Sequence, residues 1–352
     1  MRVLFLEPYY GTSHRHLMDG LIRRGDFEAE LLAMPPRKWK WRMRGGAWHL
    51  ARKASQLEPA DVIFASDFLD LPAFLALGPE WARDCRLVIY FHENQLTYPV
   101  RKDDERDFHF GLTNIETALA ADAVAFNSEF HRGEFCAAAG DLISRFPDFR
   151  PTGIPEAIEA KSTVIPVPLN LSEIPKSVEN DGPLTLVWNM RWEFDKNPGD
   201  FFEALFSLAD SGMDFRLIVA GERFSDYPPI FDRARERLSG KIISWGFVES
   251  RAEYLKLLSR SDLVVSTAIH EFFGIAVAEA VAAGCVPLLP NRLAYPEQYA
   301  AKFLYDSREE LISRLREMML DPESVRRLDP PTVADLDWSV QMPSYTRLIS
   351  PR

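Results

Sequence analysis

The order of hydrophobic and polar positions divides the chain into two series of short apolar runs separated by longer amphipathic segments. The first series predicts β-strands at residues 2–7, 27–34, 62–65, 87–91, 123–126 and 163–169. The second predicts strands at residues 184–190, 215–221, 242–248, 262–267, 286–289 and 303–305. Strands that alternate with helices are typical of parallel sheets. The pattern therefore predicts an α/β protein with two Rossmann-like domains.

A change of composition marks the boundary between the two series. Residues 170–183 contain prolines, a glycine and charges of both signs, which is typical of a linker. The predicted domains are residues 1–169 and 184–335, and each is long enough to bury its own core. Residues 336–352 are predicted to form a terminal helix.

Two acids interrupt the most apolar part of the chain, residues 262–290. Glu271 is predicted to follow a strand at the carboxyl end of the sheet, where α/β proteins bind ligands, and Glu279 to lie in the next helix. Because an unpaired carboxylate among apolar groups is costly, the pair predicts a polar ligand. The alternative is a helix-dipole partner and an ion pair in the core. The N–H groups at the start of this helix suit an anionic group, and they belong to Phe272, Phe273 and Gly274.

Two cations lie in the loop after the first strand of the second series. Arg191 and Lys196 are placed where a diphosphate could be neutralised, although surface ion pairs with Glu193 and Asp195 would also explain them. Further donor-site candidates follow the next two strands or the first strand of the chain: Glu222 and Gly246 with Val248 as pocket-lining residues, and Gly11 as a phosphate-contacting turn.

Polar side chains follow two strands of the first series. His92, Glu93 and Asn94 come after residues 87–91, and Asn127 with Ser128 follows residues 123–126. Both strand ends should point toward a cleft between the domains, so these residues are expected on its acceptor side. A structural role for His92 is the alternative.

A basic stretch is out of character for a chain of net charge −11. Five cations alternate with two tryptophans here, and the stretch reads Arg37, Lys38, Trp39, Lys40, Trp41, Arg42 and Arg44. The cations could meet phosphates while exposed indoles stack on unpaired bases. A solvated loop whose tryptophans anchor it to the core is the alternative.

Several other classes of protein have little support in the sequence. Neither GxGxxG nor GxxxxGK[ST] follows a predicted strand, and the His270-Glu271 pair lacks the histidine that a zinc protease would need at position 274. No metal site is expected. Three widely spaced cysteines, Cys85, Cys136 and Cys285, are predicted to be core residues, and no secretion signal or membrane span is predicted. The expected location is the cytoplasm.

Motifs in both halves together resemble the tRNA-queuosine mannosyltransferase family, which consists of family 4 type retaining glycosyltransferases with the GT-B fold. The motifs are YYGTSH, PPRKWKWRMRGGA, YFHENQLTYP, NSEFH, WNMRWEFDKNP, GFVESRAEY and IHEFFGIAVAEA. The resemblance implies two Rossmann-like domains facing a cleft, with residues 336–352 crossing back as a helix onto the N-terminal domain. It also implies GDP-mannose as donor, the cyclopentenediol of queuosine in tRNA(Asp) as acceptor, and no metal or other cofactor.

The resemblance also assigns roles to residues of this chain. Catalytic roles fall on His92, Arg191, Lys196 and Glu271. Donor contacts fall on Gly11, Arg191, Lys196, Glu222, Gly246, Val248, Glu271, Phe272, Phe273, Gly274, Ile275 and Glu279. Acceptor contacts fall on His14, His92, Glu93, Asn94, Asn127, Ser128 and the basic stretch.

Two rival functions remain open on the sequence alone. One is a transferase of the same fold with a lipid or small-molecule acceptor, and the other is a non-catalytic RNA-binding protein. A partner membrane is not expected, and the oligomeric state is left unknown.

Overall fold

The computed structural model describes four stretches of the chain, residues 1–100, 105–178, 180–224 and 226–350. They form two compact units. The first unit spans Met1–Pro168 together with the C-terminal segment from Trp338, and the second spans Leu169–Asp337. Each unit contains a six-stranded parallel sheet with helices between the strands, so the predicted α/β class is confirmed.

The sheet of the first unit has the strand order β2-β1-β3-β4-β5-β6. Its strands are β1 (Arg2–Glu7), β2 (Glu28–Ala33), β3 (Val62–Ser66), β4 (Arg86–Phe91), β5 (Ala123–Phe126) and β6 (Ser162–Val164). Its helices are α1 (Thr12–Arg24), α2 (Trp39–Ala54), α3 (Leu71–Leu77), α4 (Phe108–Ala120), α5 (Glu129–Ser144) and α6 (Ile154–Glu159). The central strands are buried on both faces, as continuous apolar runs require.

The strand predicted at residues 163–169 is shorter in the structure and ends at Val164. Pro166 and Pro168 have no backbone N–H to donate to a neighbouring strand, so an apolar run that contains them cannot continue the ladder. The sequence prediction was wrong here because it weighed hydrophobicity above hydrogen bonding.

The sheet of the second unit has the strand order β12-β11-β10-β7-β8-β9. Its strands are β7 (Thr185–Trp188), β8 (Arg216–Ala220), β9 (Ile242–Gly246), β10 (Leu263–Val265), β11 (Val286–Pro290) and β12 (Leu304–Tyr305). Its helices are α7 (Pro198–Asp210), α8 (Ile230–Arg237), α9 (Arg251–Leu258), α10 (Ile275–Ala282), α11 (Tyr295–Gln298), α12 (Arg308–Leu320) and α13 (Pro322–Arg326).

The segment before β7, predicted as a linker, is tied to the second unit by a buried acid. Asp262 accepts hydrogen bonds from the Thr185 backbone N–H at 2.8 Å, the Asn180 amide at 3.0 Å and Arg326 Nε at 3.1 Å. One carboxylate thus joins three separate parts of the unit. The described residues of this segment therefore belong to the packed structure of the second unit.

The C-terminal helix α14 (Trp338–Ile349) belongs to the first unit. Trp338 packs against α1 at Gly20, where a Cβ would lie 1.9 Å from the indole. Tyr345 donates to the carbonyl of Pro166 at 3.0 Å. Among the described residues, every helix is too short or too polar to cross a lipid bilayer.

The contact between Trp338 and Gly20 gives a prediction about stability. Trp338→Ala should lower the free energy of unfolding by about 3–5 kcal/mol, because it leaves a cavity beside α1. Gly20→Ala should cost about 1–3 kcal/mol in the native background through overpacking. In the Trp338→Ala background the same change should be neutral or stabilising, because alanine has a higher helix propensity than glycine.

Denaturant unfolding followed by circular dichroism measures the three variants. Gly133→Ala is the matched control, because nothing lies within 4 Å of the added Cβ in α5. An equal cost of Gly20→Ala with and without the indole would contradict the packing described here.

Candidate functional site

The strand order reverses once in each sheet, and polar loops meet at both reversals. In the second sheet, β8 and β9 extend from one side of β7 while β10 lies on its other side. In the first sheet, β2 and β3 flank β1 in the same way. Loops at the carboxyl ends of such neighbouring strands diverge and leave a crevice, which is where open α/β sheets bind ligands.

Lys196 is the centre of the crevice in the second unit. Its buried ammonium lies 3.2 Å from Glu271 Oε2 and donates to the carbonyl of His270 at 2.9 Å. It also lies 3.0 Å from Asp195 Oδ2. Burial opposes the charge, but the two carboxylates outweigh it and raise the pKa of Lys196. Lys196 is therefore protonated at neutral pH and contacts one of the two acids singled out in the sequence.

Arg191 lies on the same loop and is partly exposed. Its Nη2 is 3.3 Å from Glu193 Oε2, and its charge acts on both Asp195 and Lys196. Burial raises the pKa of Glu193, while Arg191 acts against this effect. The surface-pair alternative therefore describes Arg191 in part, whereas Lys196 is paired in a buried setting.

The loop after β7 is held close to the loop after β8. The Trp192 backbone N–H donates to the carbonyl of Glu222 at 2.9 Å. A Cβ on Gly221 would lie only 1.8 Å from the carbonyl oxygen of Met190, so only glycine allows this approach. Glu222 thus fixes the loop through its backbone. Burial and, to a smaller extent, the Glu222 carboxylate raise the pKa of Glu193.

Glu279 lies in α10 within a second polar network. One carboxylate oxygen accepts a hydrogen bond from Arg251, and the other accepts from Tyr254 at 3.1 Å. Asn189 donates to the Tyr254 hydroxyl at 2.9 Å and to the carbonyl of Ala276 at 2.7 Å. Burial raises the pKa of Tyr254, so its phenol stays neutral and can donate. The loop after β7 therefore contacts the networks of both acids.

The turn before α10 is a close-packed feature. The helix begins at Ile275, and Gly274 before it has a φ of +88°, a conformation that favours glycine. A Cβ on Gly274 would lie 3.1 Å from the Tyr295 ring. Phe272 and Phe273 are buried.

The end of β9 carries Gly246 and Val248, two of the residues predicted to line the donor pocket. Gly246 has a φ of +107°, which again favours glycine, and Val248 packs against the core of the second unit. Phe247 between them is exposed.

The crevice of the first unit contains a buried ion pair. Glu7 at the end of β1 accepts hydrogen bonds from the Tyr9 N–H at 2.8 Å and Ser66 Oγ at 2.9 Å. Its other oxygen lies 3.1 Å from His14 Nδ1. Burial opposes a charged imidazole, but Glu7 outweighs it and raises the pKa of His14 to about 9. His14 is therefore a buried cation at neutral pH.

His92 follows β4 and packs against His14 with 4.1 Å between the ring centroids. Burial, and then the charge of His14, lower the pKa of His92 well below its usual value. The His92 backbone N–H donates to Asp67 at 2.9 Å, and burial raises the pKa of Asp67 to about 8. Among the described residues, His92 Nε2 has no hydrogen-bond partner. A neutral imidazole with such a nitrogen can bond to a substrate hydroxyl.

Four other predicted acceptor residues shape the loops around His92. Asn94 Oδ1 accepts from two backbone N–H groups of its own turn at 3.0 Å. Asn127 Nδ2 donates to the carbonyl of His92 at 2.9 Å, and Ser128 Oγ caps α5. Glu93 accepts from a nearby glutamine amide at 3.0 Å. The side chains of Asn94, Asn127 and Ser128 hold backbone in place.

The basic stretch begins a helix, α2, and is not a loop. Trp39 packs on Phe110 with 5.1 Å between ring centroids, and Met43 joins the same small core. Trp41, by contrast, is 73% exposed. The anchoring alternative is therefore right for Trp39 and wrong for Trp41. The five predicted cations lie at the start of this helix or just before it, and Arg42 donates to the carbonyl of Pro35 at 3.0 Å.

Packing joins the start of α2 to the histidine pair. The Phe68 ring lies 6.4 Å from Trp39 and 5.3 Å from His14. Pro36 packs on Gly11, where a Cβ would lie 2.5 Å from the proline. Gly11 has an extended φ of −159°, so this contact, not an unusual backbone, accounts for the glycine.

Sequence reasoning missed four residues of these clusters. Glu7 and Asp67 end or follow strands within apolar runs, and that position is the only signal of their role. Arg251 and Tyr254 lie far from Glu279 in sequence, and nothing in the spacing predicts their contact. Among the described residues, no group of three His, Cys, Asp or Glu side chains is arranged to hold a metal ion.

Comparisons with known proteins place both halves of the chain. Residues 2–169 match the family model of the tRNA-queuosine alpha-mannosyltransferase N-terminal region, and residues 171–331 match that of glycosyl transferases group 1. The chain is 38% identical over 338 residues to a Drosophila melanogaster protein named tRNA-queuosine alpha-mannosyltransferase. That alignment covers 92% of this chain and 89% of the relative.

Two further similarities are more distant. A GDP-mannose-dependent alpha-(1-6)-phosphatidylinositol dimannoside mannosyltransferase of Mycobacterium tuberculosis (strain ATCC 25177 / H37Ra) is 30% identical over 148 residues, 41% of this chain and 38% of that protein. The crystal structure of Anabaena Alr3699/HepE in complex with UDP has a TM-score of 0.69 at 17% identity and covers 99% of both chains. The expected GT-B fold is confirmed, and the chain belongs to the tRNA-queuosine alpha-mannosyltransferase family.

Proposed function

We propose that this protein transfers an α-mannosyl group from GDP-mannose to the cyclopentenediol of queuosine in tRNA(Asp), with retention of configuration and without a metal ion. The observation that carries the proposal is the contact between Lys196 and Glu271 at the strand-order reversal of the second unit. The 38% identity to a relative named for this reaction supports the acceptor, and the name of the mycobacterial relative supports the donor.

The second unit binds the nucleotide sugar. Arg191 and Lys196 stabilise the negative charge that develops on the departing diphosphate, because fixed charges act most strongly where charge grows. Glu271 orients the mannose and Glu279 binds the ribose hydroxyls. The turn before α10 and the end of β9 line the rest of the site, through Phe272, Phe273, Gly274, Ile275, Gly246, Val248 and Glu222.

The transfer requires no protein nucleophile. The bond between mannose C1 and the β-phosphate oxygen breaks, and the acceptor oxygen bonds to C1 on the same face. The hydroxyl proton passes to the leaving phosphate, so the products are GDP and the mannosylated nucleoside. His92 is neutral, and its Nε2 has no hydrogen-bond partner among the described residues. This imidazole forms a hydrogen bond with a hydroxyl of the sugar or the acceptor. Two cations on the leaving group take the place of a divalent metal.

A direct assay tests the reaction. The purified protein is incubated with GDP-mannose and queuosine-containing tRNA(Asp), and the digested nucleosides are analysed for the mass of an added hexose. We expect the increment with GDP-mannose, with or without EDTA. The control is tRNA that lacks queuosine. No increment on the queuosine nucleoside would refute the proposal, and loss of the increment in EDTA would refute metal independence.

The roles of the two cations give a prediction about turnover. Arg191→Ala and Lys196→Met should each lower kcat/KM for GDP-mannose by about 10²–10³-fold, the usual effect of removing one stabilising donor. The control is Arg233→Ala, since Arg233 lies in the same unit but pairs with Glu203 at the surface. Thermal unfolding distinguishes a loss of activity from a loss of folded protein. A lower unfolding temperature is expected only for Lys196→Met, because that change leaves Asp195 and Glu271 without their buried cation. Near-normal turnover of the folded Arg191→Ala variant would contradict its assignment.

The network of Glu279 gives a prediction about nucleotide binding. Tyr254→Phe removes one hydrogen bond to the carboxylate and should weaken GDP binding by about 2- to 10-fold in calorimetry. If Glu279 binds the ribose, the variant should lose less with 2′-deoxy-GDP than with GDP. Tyr227→Phe is the control, because that hydroxyl bonds to Asp232 at the surface of the same unit. An equal loss with both nucleotides would show that Glu279 does not contact the 2′-hydroxyl.

A further inference from the structure

The basic region extends beyond the stretch that the sequence motif marks. Between Glu30 and Glu58 the chain contains seven lysines and arginines and no acid, although its net charge is −11. Two of these cations, Arg52 and Lys53, lie in the last turn of α2. Among the described residues, none of the seven forms an ion pair with a carboxylate. This helix therefore offers a concentrated positive charge to a polyanion.

The helix also exposes two large aromatic side chains. Trp41 is 73% exposed and Trp48 is 66% exposed. With Arg44 and Arg52 they follow a spacing of three, four and four residues, which places all four on one face of a helix. The opposite face, with Met43 and its neighbours, is buried in the core of the first unit. The exposed face thus alternates indoles with guanidinium groups.

The separation of the indoles bears on what they can bind. Seven residues of helix rise by about 10 Å, roughly three times the rise of one stacked nucleotide, about 3.4 Å in duplex DNA. The two indoles therefore address different bases. Base pairs inside a duplex are stacked on both faces, so only unpaired bases can accept an indole.

We propose that Trp41 and Trp48 each stack on an unpaired base of a single-stranded RNA loop, while Arg44 and Arg52 contact the phosphates between these bases. The inference rests on the proposed function and adds how the RNA is held. The helix starts beside the histidine pair, through the packing of Trp39 on Phe68 and of Phe68 on His14. Bases stacked on α2 therefore flank a nucleoside that lies near His92.

Binding of two RNA probes tests this role with the full chain. One probe is a hairpin with a seven-nucleotide unpaired loop, and the other is a duplex of the same stem sequence. Trp41→Ala and Trp48→Ala should each raise the Kd for the hairpin by about 5- to 100-fold, the range of base stacking, and leave the Kd for the duplex unchanged. Trp41→Phe and Trp48→Phe should restore most of the affinity, because the ring still stacks.

Two matched variants separate stacking from charge and from exposure alone. The double variant Arg44→Gln/Arg52→Gln should weaken binding of the hairpin and of the duplex alike. It should also reduce the slope of log Kd against log salt concentration by about one per cation removed. The tryptophan variants should keep the native salt dependence. Phe149→Ala should change nothing, although Phe149 is 95% exposed in the same unit. Equal thermal unfolding temperatures confirm that the variants are folded.

The outcomes separate this inference from the proposed function. If the double variant Trp41→Ala/Trp48→Ala binds the hairpin and mannosylates tRNA with the native KM, the inference is wrong and the proposed function stands. If the native protein transfers no mannose but hairpin binding still depends on both indoles, the proposed function is wrong and the inference about RNA binding stands. If the double variant loses binding to vesicles of phosphatidylserine and phosphatidylcholine but not to the hairpin, the face binds anionic lipid and the inference is wrong.

Discussion

An ammonium group buried beside two carboxylates is stable only when all three groups are held in place, and Lys196 is such a group. Asp195 comes from the same loop, whereas Glu271 comes from the loop after β10. The strand-order reversal brings the two loops together, and the contact of Gly221 with Met190 fixes one of them. The topology of the sheet thus determines a charge arrangement that no local segment could hold alone.

This arrangement shapes how a diphosphate would enter. Lys196 and Arg191 are already paired with acids, so an incoming anion competes with carboxylates for their charge. A sugar hydroxyl that bonds to Glu271 would weaken its hold on Lys196 and release part of that charge to the phosphate. In the proposed reaction, this competition favours a sugar joined to a phosphate over a free anion.

The first unit uses the same design with different residues. Its strand reversal holds the His14 cation against Glu7, and burial together with this charge lowers the pKa of the neighbouring His92, which keeps its imidazole neutral. The two imidazole rings lie 4.1 Å apart between centroids. The charged ring of His14 can only donate hydrogen bonds, whereas the neutral ring of His92 can donate one and accept one. In the described residues, each reversal therefore buries a cation beside a carboxylate, Lys196 in one unit and His14 in the other.

Much of this could be predicted from the sequence, because alternating strands and helices determine the sheet class and place loop residues such as Lys196 and Glu271 at its carboxyl edge. The partners of Glu279 could not be predicted, since tertiary packing alone brings Arg251 and Tyr254 to it. The basic stretch was misleading for another reason. Its alternation of tryptophan and cation has a period of two, which does not indicate a helix, yet the stretch starts α2 and packs Trp39 and Met43 on Phe110.

The contact of Pro36 with Gly11 has a mechanical consequence. The proline fills the space that any side chain at position 11 would need, so the turn before α1 and the segment before α2 are in direct contact. A close-packed contact transmits displacement, because neither side has a void into which it can relax. A displacement of the basic helix is therefore passed to the turn that leads into α1, the helix of His14, without passing through the sheet.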